Sequence, residues 1–128
     1  MMGYKIVELT TREELRELQN SRSSFIVKAT ASWCRPCKAV QPLVLSLMST
    51  LPYNTILAIV DVNKGVDLSS FLKVKAIPAF FSYIQGEPMF SYVGCDAGGV
   101  KRFFAKTARG MGAGLPPVVE GEEDEDDK

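Results

Sequence analysis

Apolar residues along the chain fall into short segments that predict strands. Residues 24–30 (SFIVKAT) and 55–62 (TILAIVDV) are apolar at almost every position, as expected of strands buried on both faces of a sheet. A shorter strand is expected at 5–9. Residues 79–84 (AFFSYI) and 89–93 (MFSYV) are separated by the turn QGEP, so they predict a hairpin.

The segments between these strands predict helices. Thr11, with Glu14 three residues later, forms a capping box that predicts a helix over about 11–20. A second helix is expected from residue 34 to about 51, because apolar residues recur there every three or four positions, and Pro42 should kink it. Its apolar face is expected to consist of Val40, Leu43, Leu47 and Leu51.

Two further helices complete the pattern. Residues 66–72 (VDLSSFL) predict a short helix, and Asp96 can cap a last one. The mostly apolar face of that last helix would be formed by Val100, Phe103, Phe104 and Thr107. The order β-α-β-α-β-α-β-β-α predicts an α/β fold with parallel strands, right-handed crossovers and an antiparallel hairpin at one edge.

Composition and charge divide the chain near residue 110. A 128-residue chain with 46% hydrophobic residues suits one globular domain, which we place at 1–109. Residues 110–128 are expected to form a flexible Gly/Pro linker and an acidic disordered tail. Residues 120–128 carry seven acids and one lysine (−6), whereas residues 1–119 carry fourteen basic and eight acidic residues (+6). This asymmetry could let the tail fold back weakly on a basic body.

The chain contains no apolar run approaching the roughly 18 residues of a membrane span, and none of signal-peptide character at its N-terminus. The N-terminal residues also lack the acid-poor composition of a transit peptide. We therefore expect a cytoplasmic protein that binds neither membrane nor nucleic acid.

Candidate chemistry is concentrated in residues 32–40 (SWCRPCKAV), which place Cys34 and Cys37 two residues apart. A structural zinc site needs four Cys or His ligands, but the chain has three cysteines and no histidine, so no metal site is expected. A Cys–His hydrolase is excluded because the histidine base is missing. Two packed, inert thiols remain the alternative to a redox centre.

The position of the pair favours the redox interpretation. If Cys34 begins the helix after a strand, unpaired backbone N–H groups and the helix dipole stabilise its thiolate. Pro36 would give up only an N–H that has no partner within the helix. Cys37, about one turn along, could then attack the Cys34 sulfur and release a mixed disulfide. A CxxC pair in a βαβ context indicates a thiol–disulfide centre.

At this point the chain resembles the thioredoxin family, with WCRPCK in place of the common WCGPCK. Pro42, the stretch VDVNKGVDLSSFLKVKAIPAF, and QGEP with SYVGC extend the resemblance over about residues 4–109. The resemblance implies the thioredoxin fold, a central mixed sheet of about five strands flanked by about four helices. It also implies a cis bond between Ile77 and Pro78 beside the cysteines.

The resemblance further assigns a substrate-binding surface. Ile77, Pro78 and Ala79 would pair with the substrate through their backbone, and Pro78, lacking an N–H, would leave room for the sulfurs. Trp33 resembles the family's indole on the rim of the active site, with Gly94 opposite. Packing in the core is the alternative for Trp33.

Three residues depart from the family pattern. Lys28 occupies the position of a usually buried aspartate that assists proton transfer at the second cysteine, and Arg35 replaces a glycine. A charged, partly solvated Lys28 would favour the reduced thiolates and make the couple more oxidising. A neutral Lys28 could instead accept the proton of Cys37. Cys95 is an extra thiol, expected to be regulatory or, alternatively, merely packed or exposed.

The sequence therefore predicts a protein-disulfide reductase that cycles a Cys34–Cys37 disulfide. Its partners would be disulfide-containing client proteins and a separate reductase or dithiol donor, and no cofactor is expected. A monomer is expected, with a Cys95-linked dimer as the alternative. Two other functions stay open: a disulfide oxidase or isomerase, and a binding module with weak redox activity.

Overall fold

The computed structural model describes residues 4–112, so the acidic tail and most of the linker lie outside the described residues. Five strands and four helices alternate in the order expected from the sequence. Their bounds are β1 Tyr4–Glu8, α1 Arg12–Asn20, β2 Phe25–Thr30, α2 Arg35–Met48, β3 Thr55–Asp61, α3 Val66–Phe71, β4 Ala79–Ile84, β5 Glu87–Val93 and α4 Ala97–Gly110.

The strands form one mixed sheet in the order β1-β3-β2-β4-β5. Strand β3 pairs in parallel with β1 and β2, whereas β4 is antiparallel to both β2 and β5. This arrangement is the predicted α/β fold with an antiparallel hairpin at one edge. It also places the carboxyl ends of β2 and β3 side by side, where loops from neighbouring parallel strands meet.

Each face of the sheet carries a separate apolar core. Alternate residues of β2 point to opposite faces, so Phe25 and Val27 join one core and Ile26 joins the other. The Ile26 core contains residues of α2 and α4, and the Phe25 core contains Leu15 of α1 and Leu68 of α3. Lys28 therefore belongs by alternation to the face covered by α2 and α4.

The helix starts follow the predicted caps. The Thr11 hydroxyl accepts a hydrogen bond from the Glu14 N–H at 3.1 Å, and the Glu14 carboxylate accepts one from the Thr11 N–H at 3.1 Å. These contacts lower the pKa of Glu14, the backbone N–H groups of Thr10 and Thr11 contributing most. The Asp96 carboxylate accepts from the Gly99 N–H at 3.0 Å. Local capping thus fixes where α1 and α4 begin.

Two predicted boundaries differ from the structure by more than one residue. Helix α2 ends at Met48 rather than near Leu51, and its buried residues include Val44 and Met48, whereas Leu43 and Leu47 are only half-buried. Strand β5 begins at Glu87, because the hairpin needs only the two-residue turn Gln85–Gly86, with φ of 53° and 86°. Such a turn requires positive φ at both positions and matches the twist of the paired strands.

Candidate active site

The cysteine pair lies at the junction between β2 and α2. After β2, the Cys34 N–H donates to the Ala31 carbonyl at 3.1 Å, closing a turn that brings Cys34 to the N-cap position of α2. Pro36 lies within the first turn, where no N–H is required. The pair therefore occupies the helix start that the sequence predicts.

Cys34 and Cys37 are joined by a disulfide, with their Cα atoms 5.3 Å apart. Both are buried, with 4% of Cys34 and 1% of Cys37 exposed. The Cys37 N–H donates to the Cys34 sulfur at 3.2 Å. Because this N–H belongs to the unpaired first turn of the helix, it can stabilise negative charge on that sulfur when the bond is reduced.

A proline loop packs beside the cysteines. The Ile77–Pro78 bond is cis, as expected, and Ile77 contacts the small cluster formed by Ala31, Cys34 and Cys37. The Gly94 N–H donates to the Pro78 carbonyl at 3.0 Å, which holds the end of β5 against this loop. The structure thus brings Ile77, Pro78 and Gly94 to the same side of the sheet as the disulfide.

Trp33 lies on the surface beside the pair, and 66% of it is exposed, so the alternative of core packing is wrong. Its indole N–H donates to the Asn63 side-chain oxygen at 2.7 Å. The loop after β3 holds Asn63 in place, because the Asp61 carboxylate accepts from the Asn63 N–H at 2.8 Å. Sequence reasoning missed Asn63, although its position just after a parallel neighbour of β2 was an available signal.

Lys28 is the main departure from expectation at the site. The residue is 3% exposed rather than partly solvated. The ammonium donates to the Cys37 carbonyl at 2.9 Å and to the side-chain oxygen of Gln41. Burial removes water from the charged form and lowers the pKa of Lys28 to about 8. The lysine is therefore hydrogen-bonded to α2, the helix that carries Cys37.

A cavity of about 460 Å³ adjoins this lysine. Its lining includes Cys37 and Gln41 from α2, Lys38 from the same helix, and Asp61 from the end of β3. Lys28 and Cys37 thus line the same cavity. No sequence pattern pointed to Gln41 or to this cavity.

The two remaining candidates lie on the surface. Arg35, the first residue of α2, is exposed. Cys95 is a free, exposed thiol just before the N-cap residue of α4, so the packed alternative is wrong for it. In the described part of the chain, no group of three or more Cys, Asp or Glu side chains could hold a metal ion. Within 4–112, no helix is long and apolar enough to cross a bilayer.

A mixed α/β sheet that presents a CxxC disulfide at a helix start, next to a cis-proline loop, defines a thiol–disulfide oxidoreductase. Comparison with known proteins identifies the family within this class. The family model named Thioredoxin matches residues 5–106, so the chain belongs to the thioredoxin family, whose members catalyse the reduction of protein disulfides.

Individual relatives support this placement. The chain is 30% identical to a thioredoxin of Coprinus comatus over 69% of its own length and 84% of that protein. It is 29% identical to thioredoxin H1 of Arabidopsis thaliana, over 76% and 84%. Among solved structures, oxidised mitochondrial thioredoxin 3 of Saccharomyces cerevisiae superposes with a TM-score of 0.72 at 25% identity, covering 79% of this chain and 94% of that one.

Proposed function

We propose that this protein reduces disulfides of client proteins, with Cys34 as the attacking thiol and Cys37 as the resolving thiol. The observation that carries the proposal is the Cys34–Cys37 disulfide at the start of α2, beside the cis Ile77–Pro78 loop. Electrons come from a separate reductase or a dithiol, and the protein works in the cytoplasm.

The cycle balances with the two thiols alone. The Cys34 thiolate attacks one sulfur of the client disulfide, the client S–S bond breaks, and one client cysteine leaves as a thiolate. Cys37 then loses its proton and attacks the Cys34 sulfur, which releases the second client thiolate and closes the Cys34–Cys37 bond. Two electrons have passed to the client, and the external donor returns them.

The order of the two thiols follows from their surroundings. Only Cys34 receives a backbone N–H on its sulfur, at 3.2 Å, and only Cys34 lies at the N-cap. This contact and the helix start favour the thiolate of Cys34 over its thiol. Cys37 lies one turn further along and is almost fully buried, so its first accessible target is the Cys34 sulfur.

The client binds across the surface formed by the Ile77–Pro78 loop together with Trp33 and Gly94. Pro78 has no N–H, so its backbone leaves space beside the sulfurs, while the neighbouring groups of Ile77 and Ala79 pair with the client. The exposed indole of Trp33 and the backbone of Gly94 complete the surface. The Trp33–Asn63 hydrogen bond fixes the indole and so reduces the ordering cost of binding.

Lys28 and Arg35 place positive charge beside the cysteine pair and so raise its reduction potential. An ammonium bonded to the Cys37 carbonyl favours a thiolate over a thiol at the adjacent sulfur. With a pKa of about 8, Lys28 is mostly charged at neutral pH. The reduced form is therefore stabilised, and the couple is more oxidising than the roughly −270 mV of thioredoxin. This feature favours a second candidate, a disulfide oxidase or isomerase.

A turnover assay tests the proposal. Reduction of a protein disulfide is followed with a dithiol donor, using wild type and Cys34→Ser. We expect turnover by wild type and only the uncatalysed rate with the variant. Equal rates would mean that the chain is a binding module instead. The midpoint potential of the wild type then separates reductase from oxidase.

A further inference from the structure

A groove on the side of the sheet formed by β5 is independent of the redox site. It lies between β5 and α4 and has a volume of about 470 Å³. Apolar and polar surface contribute about equally to its lining, and two basic side chains lie on its α4 side. The residues used below are Met89, Phe90, Tyr92, Phe103, Arg102 and Lys106. We call this surface the β5–α4 groove.

The α4 side of the groove is basic. Arg102 and Lys106 line it there, and α4 has no acidic residue. Lys106 forms no ion pair with any described residue. On β5 the single acid is Glu87, which is 3.8 Å from Arg22 and is therefore already paired. An occupant of the groove should supply both apolar groups and several negative charges.

The chain itself leaves the domain at one end of this groove. Helix α4 ends at Gly110, and a Cβ atom placed there would lie 3.6 Å from the Phe90 ring. After residues 111–114 (MGAG), the sequence has an apolar stretch at 115–119 (LPPVV) and then the seven acids of 120–127. Both kinds of group that the groove requires therefore follow its end.

The length of the intervening chain is sufficient. Lys106 and Arg102 lie four and eight residues before Gly110, about 6 Å and 12 Å back along a helix that rises about 1.5 Å per residue. Residues 111–119 can span about 30 Å when extended. The prolines at 116 and 117 prevent α4 from simply continuing. The acids can thus reach both basic side chains if the chain turns back.

We infer that the segment 115–127 occupies the β5–α4 groove of its own molecule. The apolar stretch covers Met89, half of which is exposed, and the acids lie along Lys106. The contact is intramolecular, so a short linker gives an effective concentration in the millimolar range. Because exposed charges are screened within about 8–10 Å at working salt, the contact weakens as salt is added.

Amide chemical shifts of the full-length protein test this inference. The comparison is between wild type and a full-length variant in which the seven acids of 120–127 are replaced by the matching amides. We expect shift differences concentrated in 89–92 and 99–106, and their loss in about 1 M NaCl. Differences spread evenly over the surface, or absent from the groove, would overturn the inference.

Matched lysine variants identify the surface. Lys106→Gln, which removes the charge of the lysine that lines the groove, should remove most of the tail-dependent shifts there. Lys5→Gln removes the same charge from an exposed position elsewhere and should preserve them. Equal losses in both variants would show diffuse attraction only. Shifts that grow with protein concentration would assign the groove to the tail of a second copy and overturn the intramolecular contact.

Discussion

The protein contains two kinds of cysteine site, and the difference lies in their surroundings. Cys34 and Cys37 are buried at the first turn of α2, next to a cis-proline loop and a buried lysine. Cys95 is exposed just ahead of α4, and its neighbour Asp96 caps that helix. The Cys34 sulfur thus accepts a hydrogen bond from a backbone N–H, whereas the residue that follows Cys95 in the chain is an aspartate. Reactivity should follow the surroundings rather than the residue type.

The largest expected effect comes from removing the attacking thiol. Cys34→Ser should abolish disulfide reduction, because no other thiol occupies the N-cap position of α2. The measurement is turnover with a protein disulfide and a dithiol donor, and Cys95→Ser is the matched control with one thiol removed. Turnover in Cys34→Ser above the uncatalysed rate would show that Cys34 is not required for reduction, and would contradict the distinction between the two cysteine sites.

Replacing the buried partner should stop the cycle halfway. In Cys37→Ser, Cys34 can still attack a client, but nothing resolves the mixed disulfide. We expect covalent client adducts on non-reducing gels and by mass spectrometry, each linked through Cys34. Adducts that accumulate in Cys34→Ser instead would reverse the order of the two thiols.

The charge of Lys28 should set the potential of the buried pair. Lys28→Asp replaces a positive by a negative charge beside Cys37, so it should make the couple more reducing and resolution faster. A change of about 1.4 kcal/mol in the free-energy difference between the oxidised and reduced forms corresponds to about 30 mV for two electrons. The potentials of wild type and variant, equilibrated with glutathione, measure this shift. An unchanged potential would show that the charge of Lys28 does not set the potential of the cysteine pair.

The same lysine should cost stability in a pH-dependent way. Its pKa is lowered from 10.5 to about 8, so the unfolded chain binds more protons between these values and stability rises with pH there. Below pH 8 the buried charge is fully unfavourable. Lys28→Met should therefore raise the free energy of unfolding by roughly 2 kcal/mol at pH 7 and by less at pH 10. Urea titrations at both pH values check this, with Lys5→Met as the exposed control.

The smallest effect on turnover is expected at the exposed thiol. Cys95→Ser should leave the reduction rate unchanged, since the thiol lies outside the disulfide cycle. If Cys95 regulates the protein by joining two molecules, the dimer formed on oxidation should disappear in this variant. Non-reducing gels decide the point, and a dimer that persists in Cys95→Ser would exclude Cys95 as the link.

Much of the fold follows from local patterns. The two-sided apolar segments predicted β2 and β3, and the Thr11 and Asp96 caps predicted the starts of two helices, because these signals depend on neighbouring residues only. The length of α2 and the first residue of β5 were wrong, since tertiary packing and a two-residue turn decide them. Such boundaries depend on contacts that no short stretch of sequence contains.

The site was predictable to a similar degree. The CxxC spacing gave the chemistry, and the resemblance to the thioredoxin family gave the cis bond at Pro78. The sequence did not reveal where the Lys28 ammonium would go. Its bonds to the Cys37 carbonyl and Gln41 depend on how α2 lies across β2. Asn63 was missed for the same reason, because it meets Trp33 only through the order of the strands.

Competitive alkylation of the reduced protein tests most directly whether surroundings set thiol reactivity. Cys34, Cys37 and Cys95 are labelled in one tube with limiting iodoacetamide from pH 5 to 9, and the rate at each thiol is read by peptide mass spectrometry. We predict that Cys34 reacts fastest at pH 6, that Cys95 reacts more slowly there, and that Cys37 is slowest. Equal rates at Cys34 and Cys95 at pH 6 would contradict the account.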